Sequence, residues 1–137
     1  MQIDPYLIFN GDCEVAFKFY EKVLGGKIEA MMPHEGTEAA AHVPAEWGKK
    51  ILHACMIIDG QRIMASDAPP GHFEKPQGFS VCLNIEKPAD AERIFNALAE
   101  KGTVTMPFAQ TFWAYRFGMC TDRHGTPWMI NSTRSTP

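Results

Sequence analysis

Apolar positions recur with a helical period twice along the chain. In GDCEVAFKFYEKVLGG, residues Ala16, Phe19, Tyr20, Val23 and Leu24 fall at i, i+3, i+4, i+7 and i+8. Asp12 stands ahead of this stripe as a residue able to cap, and Gly25 follows it. In KPADAERIFNALAEKG, residues Ala91, Ile94, Phe95, Leu98 and Ala99 repeat the spacing, with Pro88 suited to the first turn and Gly102 past the end. Every member of the second stripe stands 75 positions after its counterpart in the first.

The same shift lays the strand-like FSVCLNI (79–85) over DPYLIFN (4–10), so a strand precedes each helix. Beyond the helices the match resumes at a shift of 65, with GQRIMAS (60–66) over GTPWMIN (125–131). The first half therefore carries ten extra residues, which fall in the irregular stretch 33–49. Further strand candidates, ILHACMIID (51–59) and YRFGMCTD (115–122), precede the two hairpins. Each half reads strand, helix, strand, strand, strand, and a repeat of this kind constrains the fold more than local propensity does. The organisation expected is one domain over 1–137, with module one at 1–66, a linker at 67–77 and module two at 78–133.

Alternation along the strands assigns faces. Phe79, Val81, Leu83 and Ile85 alternate with Ser80, Cys82 and Asn84, so the apolar set packs on a helix. Leu52, Ala54, Met56, Ile63, Ala65, Trp128 and Ile130 belong to the same layer. That leaves His53, Cys55, Met64, Ser66, Met129 and Asn131 facing the other way. Each large apolar side chain buried under a helix contributes roughly 1.5 to 3 kcal/mol, so the helix-facing layer supplies the stability. The opposite face is free to line a cavity of mixed polarity, provided the two half-sheets curve towards each other.

Bulk composition narrows the function classes. At 137 residues the chain can bury one ordinary core. A net charge of -3 with no Lys/Arg cluster argues against a nucleic-acid or anionic-membrane surface and favours a small-molecule partner. Cys13, Cys55, Cys82 and Cys120 are scattered without zinc-type spacing and read as reduced thiols. The opening MQIDPYLIF lacks a basic region and reads as a strand, and no apolar run reaches the length of a membrane span, so a cytoplasmic location is expected.

Paired modules of this order, with FYEKVLGGKI (19–28) closing the first helix, resemble the vicinal oxygen chelate superfamily of glyoxalases, extradiol dioxygenases and bleomycin-resistance proteins. YLIFNGDCEVAFKFY (6–20), HACMIIDGQRIMASDAPP (53–70) and GTVTMPFAQTFWAYRFGMCTDRHGTPWMIN (102–131) resemble its PhnB-like branch. The resemblance implies an α+β fold in which two βαβββ modules form a curved eight-stranded mixed sheet, with a central cavity, helices on the outer face and a homodimeric assembly. Metal enzymes of the superfamily carry ligands at positions that correspond here to Pro5, Met64, Ser80 and Met129. A proline, a serine and two thioethers do not suit Ni, Zn, Mn or Fe, so no metal and no cofactor are expected. Two methionines could suit soft Cu(I), but methionine is more often a flexible filler.

Within the expected cavity His53 is the candidate for chemistry, as a general base near Cys55 and Ser66, or else a structural histidine bonded to a loop. Counting back six residues from Asp59 and Asp122 pairs His53 with Arg116, which could bind an anionic ligand or sit in a surface ion pair. Asp67 could orient His53 or cap the DAPPG turn. Phe112 and Trp113 could form a stacking wall for a planar ligand or anchor a dimer interface. Cys82, Ser80, Met64, Ser66 and Met129 complete the expected ligand-binding set. Cys55 and Cys82 lack a sequence-local activator, and His34, His42 and His72 fall in solvated loops. His124 reads as a turn residue framed by Asp122 and Gly125. The function expected is binding of a small organic ligand without the divalent metal. The alternatives are a metal-independent isomerase or lyase using His53 and, with less support, a divalent-metal lyase or dioxygenase. A methyltransferase has no strand followed by a Gly-rich turn to hold S-adenosylmethionine.

Overall fold

Eight strands and two helices follow one another in the order β1 (Tyr6–Phe9), α1 (Cys13–Leu24), β2 (Lys27–Pro33), β3 (Ile51–Ile58), β4 (Gln61–Asp67), β5 (Val81–Asn84), α2 (Pro88–Ala99), β6 (Thr103–Ala109), β7 (Arg116–Thr121) and β8 (Pro127–Ser132). Two short 3-10 turns, Glu38–His42 and Ala45–Trp47, fill the long connection before β3. This computed structural model describes residues 1–133. The chain divides into two compact units, Met1–Glu74 and the part from Lys75 onward. Each is a βαβββ module of an α+β fold. The eight strands form two four-stranded ladders, ordered β1-β4-β3-β2 and β5-β8-β7-β6. In each, the first strand joins its neighbour in parallel and the other pairs are antiparallel.

Helix α1 buries Cys13, Ala16, Phe17, Tyr20 and Val23. The stripe is turned by part of a residue step from the one read in the sequence, since Phe17 is buried while Phe19 and Leu24 are half-exposed. Phe19 instead lies beside Tyr20, with ring centroids 5.6 Å apart. Gly25 closes the helix with φ 74°, a left-handed conformation that costs glycine little. Asp12 makes no side-chain capping hydrogen bond. The amides at this end are met from another strand: Asp67 Oδ1 accepts from Gly11 N at 2.8 Å and Cys13 N at 3.0 Å, while Oδ2 accepts from Ile51 N at 2.8 Å. Helix α2 buries Ala91, Ile94, Phe95 and Leu98 as expected, with Pro88 in its first turn. Its exit differs, because Lys101 rather than Gly102 takes the positive φ.

Strand parity holds in both ladders. Leu7, Phe9, Ala54, Met56, Ile63 and Ala65 are buried on the α1 side, and Val81, Cys120, Trp128, Ile130 and Ser132 on the α2 side. Gly118 is needed where β7 meets α2, since a Cβ there would lie 2.8 Å from Phe95 Cε2 and 3.0 Å from Phe108. Phe79 departs from expectation: it is 52% exposed and precedes β5, which begins at Val81. Val81 pairs with Trp128, and the residue before Trp128 is Pro127, which has no N–H with which to extend the ladder.

The two hairpins differ by one residue. Ile57 faces Arg62 in the first unit, and the corresponding pair in the second is Thr121 and Pro127, which leaves five intervening residues in place of four. A one-residue slip reverses the face of every side chain counted from the turn.

Candidate functional site

In the first unit, the face turned away from α1 presents Tyr6 and Ile8 from β1, Met32 from β2, His53 and Cys55 from β3, and Met64 and Ser66 from β4. Tyr6 sits beside Met64, Met64 opposite Cys55, and Met32 opposite His53. The surface is mostly apolar, with Tyr6, Ile8 and Met32 each about 40% exposed or more. His53 is fixed in it: Tyr6 Oη lies 3.1 Å from its Nδ1, and the two rings stack with centroids 5.8 Å apart. Arg62, on the same face, pairs with Asp4 at 3.0 Å. The sequence reading missed Tyr6. The alternation of β1, with Leu7 and Phe9 inward, was the signal that could have found it.

Asp67 does not join this face. It shares the parity of Ile63 and Ala65, is 3% exposed, and its carboxylate is taken up by the three backbone amides around the start of α1 and β3. The expectation that it binds ligand, orients His53 or caps the DAPPG turn is therefore corrected: it clamps the unit together. His34 is likewise buried, its Nδ1 2.8 Å from Lys50 O, whereas His42 and His72 are exposed.

In the second unit, the face turned away from α2 presents Cys82 and Asn84 from β5, Met129 and Asn131 from β8, and Phe117 and Met119 from β7. Asn131 Nδ2 donates to Asn84 Oδ1 at 3.0 Å, while Asn131 Oδ1 is closed off from solvent without a protein partner. Trp113 stands edge-on over Phe117 at 5.4 Å, and Phe112 packs edge-on against Trp113 at 4.7 Å. Phe112 is 97% exposed and Trp113 53%, an aromatic pair presented to solvent at the end of this face. Ser80 is half-buried in the segment leading into β5.

Arg116 is misplaced by the count from the turns. The extra hairpin residue gives Phe117, opposite Asn131, the place that His53 takes in the first unit, and puts Arg116 in the parity of Gly118 and Cys120. Its guanidinium stacks on Tyr115 at 4.3 Å and donates to Tyr115 O at 3.1 Å. The lengthened turn itself is organised by Asp122, whose Oδ1 accepts from His124 N and Thr126 N while Oδ2 accepts from Trp128 Nε1 at 2.8 Å. His124 is a turn residue.

The residues flanking Met64 and Met129 on the first strands are Tyr6 and Cys82, whereas Pro5 and Ser80 lie ahead of their strands. A phenol, a thiol and two thioethers do not fit the divalent ions of the metal enzymes, which take imidazole and carboxylate donors. Among the described residues, no three His, Cys, Asp or Glu side chains are grouped to hold a metal ion. Burial pushes the thiol of Cys55 up, and partial desolvation does the same to the exposed Cys82, away from the thiolate a nucleophile needs. A pocket of about 390 Å³ lies within the second unit among Lys75, Gln77, Phe79, Thr103, Thr121 and Pro127 and holds none of the candidate site residues expected from the sequence. No helix among the described residues is long and apolar enough to cross a membrane.

Comparison with known proteins adds four findings. The family model of the Glyoxalase/Bleomycin resistance protein/Dioxygenase superfamily matches residues 2–130. Protein YjdN of Escherichia coli (strain K12) is 34% identical over 145 residues, covering 100% of this chain and 99% of that protein. The crystal structure of protein PA1353 from Pseudomonas aeruginosa superposes with a TM-score of 0.90 at 48% identity, covering 98% of each chain. The PhnB protein from Bacillus cereus shares the fold, with a TM-score of 0.82 at 22% identity over 96% of this chain and 99% of its own.

Proposed function

The chain belongs to the Glyoxalase/Bleomycin resistance protein/Dioxygenase superfamily, and from that premise we propose that it binds a small organic molecule on the sheet faces turned away from its helices, without the superfamily's divalent metal. The observation that carries this reading is the make-up of those faces. Partly exposed apolar and aromatic side chains alternate with a few polar groups, Tyr6, His53 and Ser66 in one unit and Asn84 and Asn131 in the other. Such surfaces suit a largely apolar ligand oriented by a small number of hydrogen bonds. Met64, Ser66, Cys82, Met129 and the Phe112–Trp113 pair are the contacts assigned to it.

A second reading, a metal-independent isomerase or lyase, is favoured by one contact. Tyr6 Oη meets His53 at Nδ1, which leaves Nε2 as the nitrogen open to a substrate, and it can act as a general base in the tautomer whose Nδ1–H donates to Tyr6 Oη. With Asp67 committed to the backbone and Arg116 in the helix-side parity, this chemistry would rest on His53 and Tyr6. We also infer a cytoplasmic homodimer, to be checked by light scattering of the purified protein and by cell fractionation.

The test is protein-observed NMR against a library of small aromatic and aliphatic compounds. Expected perturbations fall on Tyr6, His53, Met64, Trp113 and Met129. Perturbations confined to α1 and α2, or none at millimolar compound, overturn the reading. Once a compound is in hand, His53→Ala separates the two roles, because lost turnover with retained binding marks an enzyme.

A further inference from the structure

One row of side chains across the second sheet carries sulfur on all four strands. Cys82 on β5 stands beside Met129 on β8, Met129 opposite Met119 on β7, and Met119 opposite Met106 on β6. Their neighbours of opposite parity, Val81, Trp128 and Cys120, are buried on the α2 side, so Cys82, Met129 and Met119 lie on the face turned away from that helix, with Met106 meeting Met119 between two register shifts of β6. Three of the eight methionines and one of the four cysteines of the chain thus share a single line.

Methionine as a core filler belongs in the interior, and these positions are not there. Cys82 is exposed, Met106 is 38% exposed, and Met119 and Met129 are half-buried. Adjacent strands are about 4.8 Å apart, and the three rotatable bonds of methionine let its sulfur lean towards either neighbour. A trigonal centre with metal–sulfur bonds of about 2.3 Å holds its sulfurs about 4 Å apart, within reach of such a row. The residues beside it on this face are amides and an aromatic ring, Asn84, Asn131 and Phe117, which offer a hard cation neither carboxylate nor imidazole. The equivalent line in the first sheet, Tyr6, Met64, Cys55 and Ala30, has only two sulfurs and serves as an internal control.

We propose that Cys82, Met129 and Met119, with Met106 at the edge, form a binding site for a soft monovalent cation of the Cu(I) class. Thioether and thiolate donors select such ions over the divalent metals used by the superfamily's enzymes. Binding exchanges the Cys82 thiol proton for the metal: one S–H bond breaks, one S–metal bond forms, one proton leaves to solvent, and no electron is transferred. The site shares Cys82 and Met129 with the surface assigned to the organic ligand, so the two would compete there, but it does not depend on that ligand.

The experiment titrates the protein anaerobically with Cu(I) supplied as its bicinchoninate complex. The expected result is withdrawal of one equivalent from the chelator, with shifts in the methyl NMR signals of Met106, Met119 and Met129 and none in that of Met64. Met129→Leu and Cys82→Ser should each weaken uptake by about tenfold or more. Leucine conserves the volume of methionine, so the sheet is kept. Failure to withdraw Cu(I), uptake undiminished in both Met129→Leu and Cys82→Ser, or shifts centred on Met64 would each overturn the proposal. The wild-type methyl shifts decide the matter even if a variant is destabilised.

Discussion

Tyr6 Oη lies 3.1 Å from His53 Nδ1 although the two residues are 47 positions apart in sequence. A phenol can donate or accept; taken as the donor, it makes Nδ1 the acceptor and puts the ring proton of neutral His53 on Nε2. Ring ¹⁵N chemical shifts should therefore report an Nε2–H tautomer in the wild type and a mixture in Tyr6→Phe. The cost to folding should stay below about 1 kcal/mol, because the bond is exposed. An Nδ1–H tautomer in the wild type would reverse the bond, with the imidazole donating to Tyr6 Oη.

Asp67 is the last residue of β4, and its carboxylate satisfies amides of Gly11, Cys13 and Ile51. Asp67→Ala leaves buried donors without a partner and should cost about 3–5 kcal/mol in urea unfolding, with Asp67→Asn losing about half of that. A loss under about 0.5 kcal/mol in the alanine variant would remove the clamp from the account of stability.

Burial and the Asp122 carboxylate raise Cys120 from an ordinary 9.0 to about 11, and burial raises Cys13 further in the same direction. Above pH 9 the unfolded chain releases these protons while the folded one keeps them, so stability falls with rising pH. Unfolding free energy should be flat below pH 9 and decline from there to pH 11, with a shallower decline in Cys120→Ala. Equal slopes in the two proteins would contradict the assignment. In native protein at pH 8 a thiol reagent should label Cys82 well before Cys13 or Cys120, which are 0% and 1% exposed.

Gly118 touches the stacked pair of Phe95 and Phe108, whose centroids are 5.2 Å apart. Gly118→Ala should cost about 1–3 kcal/mol by overpacking. Combined with Phe95→Leu, the two losses should be less than additive, because the smaller side chain vacates the space the methyl needs. Strict additivity would mean that the close contact is relieved elsewhere.

Both helices and the succession of elements in each module were legible in the sequence, because apolar period and a 75-residue repeat report on the same packing layer. Registers read from neighbouring strands were not. The one-residue difference between the hairpins sent Arg116 to the wrong side and hid Phe117, since only hydrogen-bond pairing fixes how many residues a turn consumes. Asp67 was read as a turn residue even though its alternation with Ile63 and Ala65 already placed it inward. A buried carboxylate reads as an error in a hydrophobic pattern until its amide partners are known. Tyr6 escaped selection because a face is made by several strands at once, whereas Asn84 and Asn131 were placed on the outward face but their pairing across β5 and β8 was not visible in either strand alone.

The clamp of Asp67 on the start of α1 also orders events in time. A chain emerging from the ribosome presents Gly11 and Cys13 more than fifty residues before the carboxylate that receives their amides. Until residue 67 is available, the first turn of α1 must be held by water, so a nascent or clipped chain ending at Ser66 keeps all the buried apolar residues of the first unit except Ala68 and still lacks its fastening. Closure over so long a loop makes completion of the module depend on distant contacts, a source of slow folding. The boundary between finished and unfinished module falls on a single side chain.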